Sequence, residues 1–236
     1  MTKNKKNPTA AIIELIKQVA YSKSVHQVFC DFVEMSAIAI SNAVAFTTRA
    51  AREARYLDII NSYEKKHHTL FQEMLIALVL ALDEKAHTSG PEDILGAIFH
   101  ELELHSPRSS QFFTPQGLSD MIALMSFGGA EKALEERGFI HVAEPACGSG
   151  TMVTSLCKVM LQNGFNYNQQ LLVTATDIDL KCVHMAYLQL SLYGVPAVVI
   201  HGNTLTLEEW SRWYTPVYVL HGWRFRNNMQ LPAVGF

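Results

Sequence analysis

This sequence predicts an α/β fold, in which a mostly parallel sheet of about four strands follows an all-helical N-terminal region. Three observations carry that expectation. Short, almost continuous apolar runs at 139–143, 171–176 and 197–201 have the composition of strands buried on both faces. Helix-length stretches at 151–163 and 179–192 separate them, long enough for right-handed crossovers between parallel neighbours. Upstream, from about residue 9 to 104, apolar residues recur at three- and four-residue steps, which is the period of helices.

Taken in order, residues 1–8 are a polar arm with three lysines and read as a solvated terminus. Helical spacing then shows in Ile12, Ile13, Ile16 and Val19, in Val28, Phe32, Met35 and Ile38, and through 49–64 and 69–84. The apolar run 74–82 is about half of what a bilayer crossing needs, so it reads as a buried helix. After a break at 87–91, Pro91 suits a first helical turn, with Glu92 and Asp93 favourable beside it, so 91–104 reads as another helix. The polar stretch 104–111 is the expected boundary. It divides a helical domain, 1–105, from an α/β domain, 106–236. Beyond it come a helix at about 115–126, a break at Gly128-Gly129 and a short helix over 130–137. The strands and helices named above follow. A short helical turn at 206–213 then leads to a β-rich run, 217–220, read as the fourth strand.

Composition narrows the function. The 236 residues are ample for a packed core, and 49% hydrophobic with 17% charged content indicates a globular chain. A formal net charge of −3 is not that of a stand-alone nucleic-acid binder, so DNA contact would need a local patch or a partner's surface. Cys30, Cys147, Cys157 and Cys182 lack any CxxC or Cys/His metal spacing and read as reduced structural thiols of a cytoplasmic protein with no metal site. No signal-peptide pattern or membrane span is read.

The most informative stretch is Glu144-Pro145-Ala146-Cys147-Gly148-Ser149-Gly150-Thr151. It reads as a strand ending in an acid, then a glycine turn, then a helix opening at Thr151. Glycine permits positive φ and close approach of the backbone to a ligand. The helix start aims unpaired N–H groups and a positive dipole end at whatever sits above the turn. An acid at the strand end captures hydroxyl or ammonium groups, which favours a nucleoside or amino-acid cofactor over a polyphosphate. Asp177 ends the second strand, where α/β folds hold ribose hydroxyls. Asn203 ends the third, where it either reads an adenine edge or caps a following helix. His201 beside it reads as a packed or exposed strand-end residue. Thr114-Pro115 has the residue types of an N-cap and a first helical position.

Gln-Phe-Phe-Thr-Pro at 111–115, the glycine stretch at 144–151 and Thr-Asp-Ile-Asp at 176–179 together resemble the adenine-N6 DNA methyltransferases. The chain is most similar to the modification subunits of type I restriction systems, and 93–101 resembles the helix that those subunits place before the first motif. The likeness covers about 90–205. It implies a Rossmann-like methyltransferase sheet with S-adenosylmethionine as cofactor. By that resemblance, Phe113 and Thr114 touch the cofactor from the side, and Glu144, Ala146, Gly148 and Gly150 line its methionine moiety. Asp177 holds the ribose hydroxyls, Ile178 lies against the adenine ring, and Asn203 lies near the adenine amino group. Residues 9–104 would match the helical domain of modification subunits by fold-level analogy.

The family's catalytic Asn/Asp-Pro-Pro-Tyr/Phe tetrapeptide does not occur in this sequence. In the family it accepts hydrogen bonds from the target amino group and stacks on the flipped base. Two segments compete for its place: Thr215-Pro216-Val217-Tyr218, and His221-Gly222-Trp223-Arg224-Phe225 at the end of a strand over 217–220. Arg224 and Arg226 read either as phosphate contacts or as a solvated tail. About ten residues follow Phe225, so the sheet is expected to be C-terminally incomplete, with an open edge for a second copy or a partner subunit. Two readings follow. One is a DNA adenine-N6 methyltransferase, acting with a partner that supplies recognition. The other is an inactive methyltransferase-fold module that pairs with restriction-modification subunits. A methyltransferase acting on a small molecule or protein is the third and weakest reading.

Overall fold

The computed structural model describes residues 7–21, 23–102, 114–226 and the backbone of 234–235. Helices α1 (Pro8–Val19), α2 (Val25–Asn42), α3 (Arg49–Asn61), α4 (Lys65–Thr88) and α5 (Ile94–Glu101) come first, followed by α6 (Gln116–Arg137). Then β1 (Ile140–Glu144), α7 (Thr151–Gln162), α8 (Tyr167–Gln170), β2 (Leu171–Asp177), α9 (Leu180–Leu192) and β3 (Ala197–Asn203) alternate. Last come β4 (Glu208–Tyr214), α10 (Pro216–Leu220), α11 (Trp223–Arg226) and β5 (Val234–Gly235).

Local chemistry explains the starts of the early helices. The Asn7 side chain accepts from Thr9 N with Pro8 in the first turn, and Ser24 Oγ accepts from Gln27 N at 3.0 Å. The spacing read in the sequence places Ile12, Ile13, Ile16 and Val19 on the buried face of α1, and Val28, Phe32, Met35 and Ile38 on that of α2. Among the described residues, no helix is long and apolar enough to cross a membrane.

The sheet order is β4-β3-β2-β1-β5. β1, β2 and β3 are parallel, and β5 adds a two-residue parallel contact to β1. Strands therefore leave β1 in both directions, so a topological switch point lies at the carboxyl end of β1, where α/β sheets bind ligands. One sheet face packs α7 and α9, and α2 and α5 pack on α9 in turn, in one apolar core. The other face carries a small cluster of Leu172, Val198, Ile200, Tyr218 and Trp223.

The structure corrects several expected elements. α6 runs unbroken through Gly128-Gly129, because Ala123, Phe127 and Leu134 anchor one buried face on both sides of the pair. Residues 206–213 hold no helical turn, and 208–214 form the antiparallel strand β4. Gly202 makes that hairpin possible, since a Cβ there would collide with the Glu208 backbone. Trp213 pins the strand by turning into the core, where it packs against Tyr187 and His184. The fourth strand expected at 217–220 is helix α10. Thr215 and Pro216 stand at its N-cap and first turn, a combination that outweighs the β propensity of Val217-Tyr218-Val219. The sheet is accordingly mixed at its β4 edge.

Candidate functional site

The carboxyl ends of β1 and β2 are zipped together by the loop between β1 and α7. Cys147 N donates to Thr176 O at 2.9 Å, and Gly150 N donates to Cys147 O at 2.8 Å. Gly148 (φ 53°) and Gly150 (φ 99°) occupy left-handed backbone that a side chain would strain. Gly150 is also the N-cap of α7 and leaves that helix without a side-chain cap, so its first N–H groups face the loop. Asp177 closes the arrangement. Its Oδ2 accepts from Gly148 N at 2.8 Å and its Oδ1 from Asp179 N at 2.9 Å.

Glu144 stands beside it, buried, with Oε1 accepting from Ala146 N at 3.2 Å. Burial, and then the neighbouring Asp177 charge, push the Glu144 carboxyl above the usual carboxylate range. Burial does the same to Asp177, against the pull of the Asp179 and Gly148 N–H groups. Among the described residues, no cationic side chain is one of the main influences on either carboxyl. Two under-compensated carboxylates on adjacent strand ends suit a ligand that brings hydroxyl donors and a positive charge. The same edge repels phosphate. The Cys147 thiol within the loop is buried and held well above its ordinary pKa, so it is an inert thiol.

The other expected residues fall as follows. Ile178 lies next to Asp177 and is 60% exposed, a large apolar side chain open at this edge. Ala146 and Gly148 lie in the loop. Phe113 lies outside the described residues. Thr114 precedes Pro115, which is the N-cap residue of α6, so Thr114 does not cap that helix. It lines a cavity of about 560 Å3 together with Asp93, Gly96, His100, Gln116 and Thr151. Asn203 does cap, but it caps a turn and no helix: its Oδ1 accepts from Leu205 N at 3.0 Å and Thr206 N at 3.4 Å. Thr204 Oγ1 then donates to Pro145 O at 2.6 Å, tying the β3–β4 hairpin to the start of the glycine loop. His201 packs its ring on Trp210, with centroids 4.7 Å apart.

Neither candidate for the catalytic corner reaches this edge. Thr215 is fully buried at the amino end of β3, accepting from Ala197 N and donating to Val195 O at 2.7 Å. Tyr218 and Trp223 belong to the cluster on the other sheet face. His221 and Arg226 line a separate cavity with Gly138, Gln169 and Gln170, beside the amino ends of β1 and β2.

Sequence reasoning missed two residues that shape the site. Asp93, read as a favourable acid near a helix start and as the first residue of a helix like that of the modification subunits, but given no role at the site, is the N-cap of α5 and reaches the glycine loop. Gln189, inside α9, is fully buried and bonds to both. The one signal available was a helix-capping acid before the apolar run 94–99. Nothing local says that its second oxygen meets residues more than fifty positions away.

The N-6 DNA Methylase family matches residues 92–225, more than half of the chain. No curated protein matches it. Among solved structures, the chain is similar to one assigned to the class I S-adenosylmethionine-dependent methyltransferases of Listeria monocytogenes. Identity there is 14% and the TM-score 0.44, over 84% of this chain and 54% of that one. It is also similar to the methyltransferase subunit of a type I restriction-modification system from Streptococcus thermophilus, at 16% identity and TM-score 0.44, over 86% and 40%. A third similar chain is in the cryoEM structure of a DrdV–DNA complex, at 12% identity and TM-score 0.47, over 98% and 26%. This chain thus spans about half the length of the first of these and less of the others.

Proposed function

Because the chain belongs to the N-6 DNA methylase family, we propose that its sheet edge binds S-adenosylmethionine, in the service of adenine methylation within a restriction-modification system. The observation that carries this reading is the pair of carboxylates raised in pKa by burial, Glu144 (buried) and Asp177 (half-buried), on either side of a glycine loop. The residues fit the group. An amino-acid ammonium and a sulfonium would relieve the charge that burial makes costly, and ribose hydroxyls would supply donors to Asp177. Ile178 offers an apolar surface for an adenine ring. Thr114 and the cavity beside it would flank the ligand, with Ala146, Gly148 and Gly150 giving close backbone approach. Asn203, engaged in the hairpin turn through Oδ1, would stand at the adenine end. When bound, the cofactor would supply the methyl group.

Residues 1–105 would form the helical domain and 106–236 the cofactor domain. The acceptor would be an adenine amino group in DNA. With a net charge of −3, the chain would take its DNA contacts from a partner subunit or from a local patch.

A second reading has its own observation. Both segments that could replace the family's catalytic tetrapeptide pack away from the loop edge. On that reading the pocket binds cofactor without methyl transfer by this chain alone, and the protein acts by pairing with restriction-modification subunits.

Calorimetric titration of S-adenosylmethionine into the purified protein tests the common core. Saturable binding that is lost in Asp177→Ala is the expected result. No binding by folded wild type would sink the cofactor assignment. Methyl transfer to DNA, assayed with and without partner subunits, then separates the two readings.

A further inference from the structure

Asp93 makes more hydrogen bonds than a helix cap requires. Its Oδ1 accepts the capping bond from Gly96 N at 2.7 Å, and a second bond from Gln189 Nε2 at 2.8 Å. Its Oδ2 accepts from two hydroxyls of the glycine loop, Ser149 Oγ and Thr151 Oγ1, the latter at 2.5 Å. Gln189 locks the assembly from α9. Its Oε1 accepts from Ile94 N and Leu95 N at 2.8 and 3.0 Å, and its Nε2 also donates to Ser149 O at 2.8 Å. Asp93, Ser149, Thr151 and Gln189 are all buried. Gly96 leaves the space they need, since a Cβ there would stand 2.6 Å from Ser149 Oγ and closer still to Asp93.

Glycines let the loop take its left-handed turns, and the same freedom lets it leave them. A loop of that kind keeps one shape only if it is tethered from outside. Asp177 holds one flank, at Gly148. The other flank, at Ser149 and Thr151, is held by Asp93. An N-cap needs a single acceptor oxygen, so the second oxygen is spent on the loop.

We propose that Asp93 is a positioning residue for cofactor binding: through Ser149 and Thr151 it fixes the glycine loop in the shape that receives the ligand. This rests on the S-adenosylmethionine reading of the pocket. It adds that the seating of α5, and so of the helices packed on it, sets how well the pocket binds.

Asp93→Ser isolates the effect. Serine is a good N-cap, so α5 keeps its start, but it is too short to reach the loop hydroxyls. It is compared with Ser149→Ala/Thr151→Val and with all three substitutions combined. Calorimetry with S-adenosylmethionine should show about ten-fold weaker binding, or worse, for each of the first two. The combined protein should bind no more weakly than Asp93→Ser, because the same contacts have been removed. Wild-type affinity in Asp93→Ser, or losses that multiply in the combination, would overturn the proposal. Amide hydrogen exchange of the free proteins reads the tether without ligand. Exchange at 148–151 should quicken at least about ten-fold in Asp93→Ser while the α5 amides stay as in wild type. If wild type fails to bind, the cofactor reading falls and exchange alone judges the tether. Unchanged loop exchange overturns the tether whether or not the ligand binds.

Discussion

At the carboxyl edge of the sheet, β1 and β2 end in the buried Glu144 and the half-buried Asp177, both with raised pKa values and, among the described residues, no cation as a main influence on either. At the amino edge, β3 begins against Thr215, whose hydroxyl bonds to Ala197 N and Val195 O, and β1 begins beside Phe139, packed edge-on to Trp223 at 5.5 Å. Both edges hold buried groups, Glu144 at one and Thr215 and Trp223 at the other. At the first, the described residues leave the acids short of a balancing cation; the second is packed with rings and bonded hydroxyls, its unmet polar group being the neutral Trp223 indole N–H. Unbalanced buried charge costs stability, so it persists where a ligand compensates for it. Burial therefore marks no site by itself; charge that lacks compensation does.

The largest expected effect tests the amino edge as pure packing. Trp223 is fully buried, and Trp223→Ala should lower the unfolding free energy by about 3–5 kcal/mol in denaturant titration. Ligand affinity of the folded protein should stay within about two-fold. A large affinity loss would break the comparison, since the two edges would then be one unit.

Gly96→Ala should act on the other edge, where packing and binding are joined. The added Cβ meets Asp93 and Ser149, and overpacking of this kind costs about 1–3 kcal/mol. Affinity for S-adenosylmethionine should fall along with stability. Lost stability with intact affinity would show that the Asp93 cluster serves the fold alone.

What could be read from the sequence divides along the same line. The glycine loop and its acids were legible because each step is local: strand end, positive-φ glycine, helix start. The first two helices were legible because four apolar residues at helical spacing fix a buried face. The stretch 206–220 was misread because its local signals conflict. Val217-Tyr218-Val219 looks like a strand, whereas Thr215-Pro216 starts a helix. Glu208–Tyr214 has the exposed, polar composition of an edge strand, and it is held by Trp213 and by Arg52, whose guanidinium lies 3.7 Å above that ring. Arg52 donates to Arg212 O across 160 positions, a contact no window along the chain contains. Asp93 and Gln189 escaped for the same reason.

pH sharpens the comparison, because buried bases and buried acids act with opposite sign. His184 packs on Trp213, and burial, with Arg52 nearby, pushes its imidazole down to about 3. The unfolded chain takes that proton near pH 6.5, and the folded one does not. Stability from this group is whole above about 6.5 and is lost as pH falls toward 3, at up to about 1.4 kcal/mol per pH unit. Glu144 and Asp177 have raised folded pKa values, so their contribution is whole below the unfolded carboxylate range and is lost as pH rises through the folded one. Burial pushes His26 and His141 down as well, so they slope the same way and His184 carries part of the loss near pH 6. Wild type should lose stability between pH 6.5 and 5.5, and His184→Phe should make that slope shallower. Parallel profiles for the two proteins would show that His184 is protonated in the fold.

The smallest effect comes from the same substitution as at Gly96, made in another helix. Gly128 lies inside α6, where an added Cβ would meet nothing within 4 Å. Helical φ is already in place, so alanine adds no strain and removes the backbone freedom that glycine gives the unfolded chain. Gly128→Ala should therefore stabilise by about 0.5–1 kcal/mol and leave ligand affinity untouched. At Gly96 the same methyl group should destabilise and weaken binding, because there the space is already taken by Asp93 and Ser149. The opposite signs follow from surroundings alone, since both glycines sit within helices. If both variants gained stability, the crowding at Gly96 would not govern the glycine loop. If both lost it, Gly128 would serve a contact other than those made within the described residues.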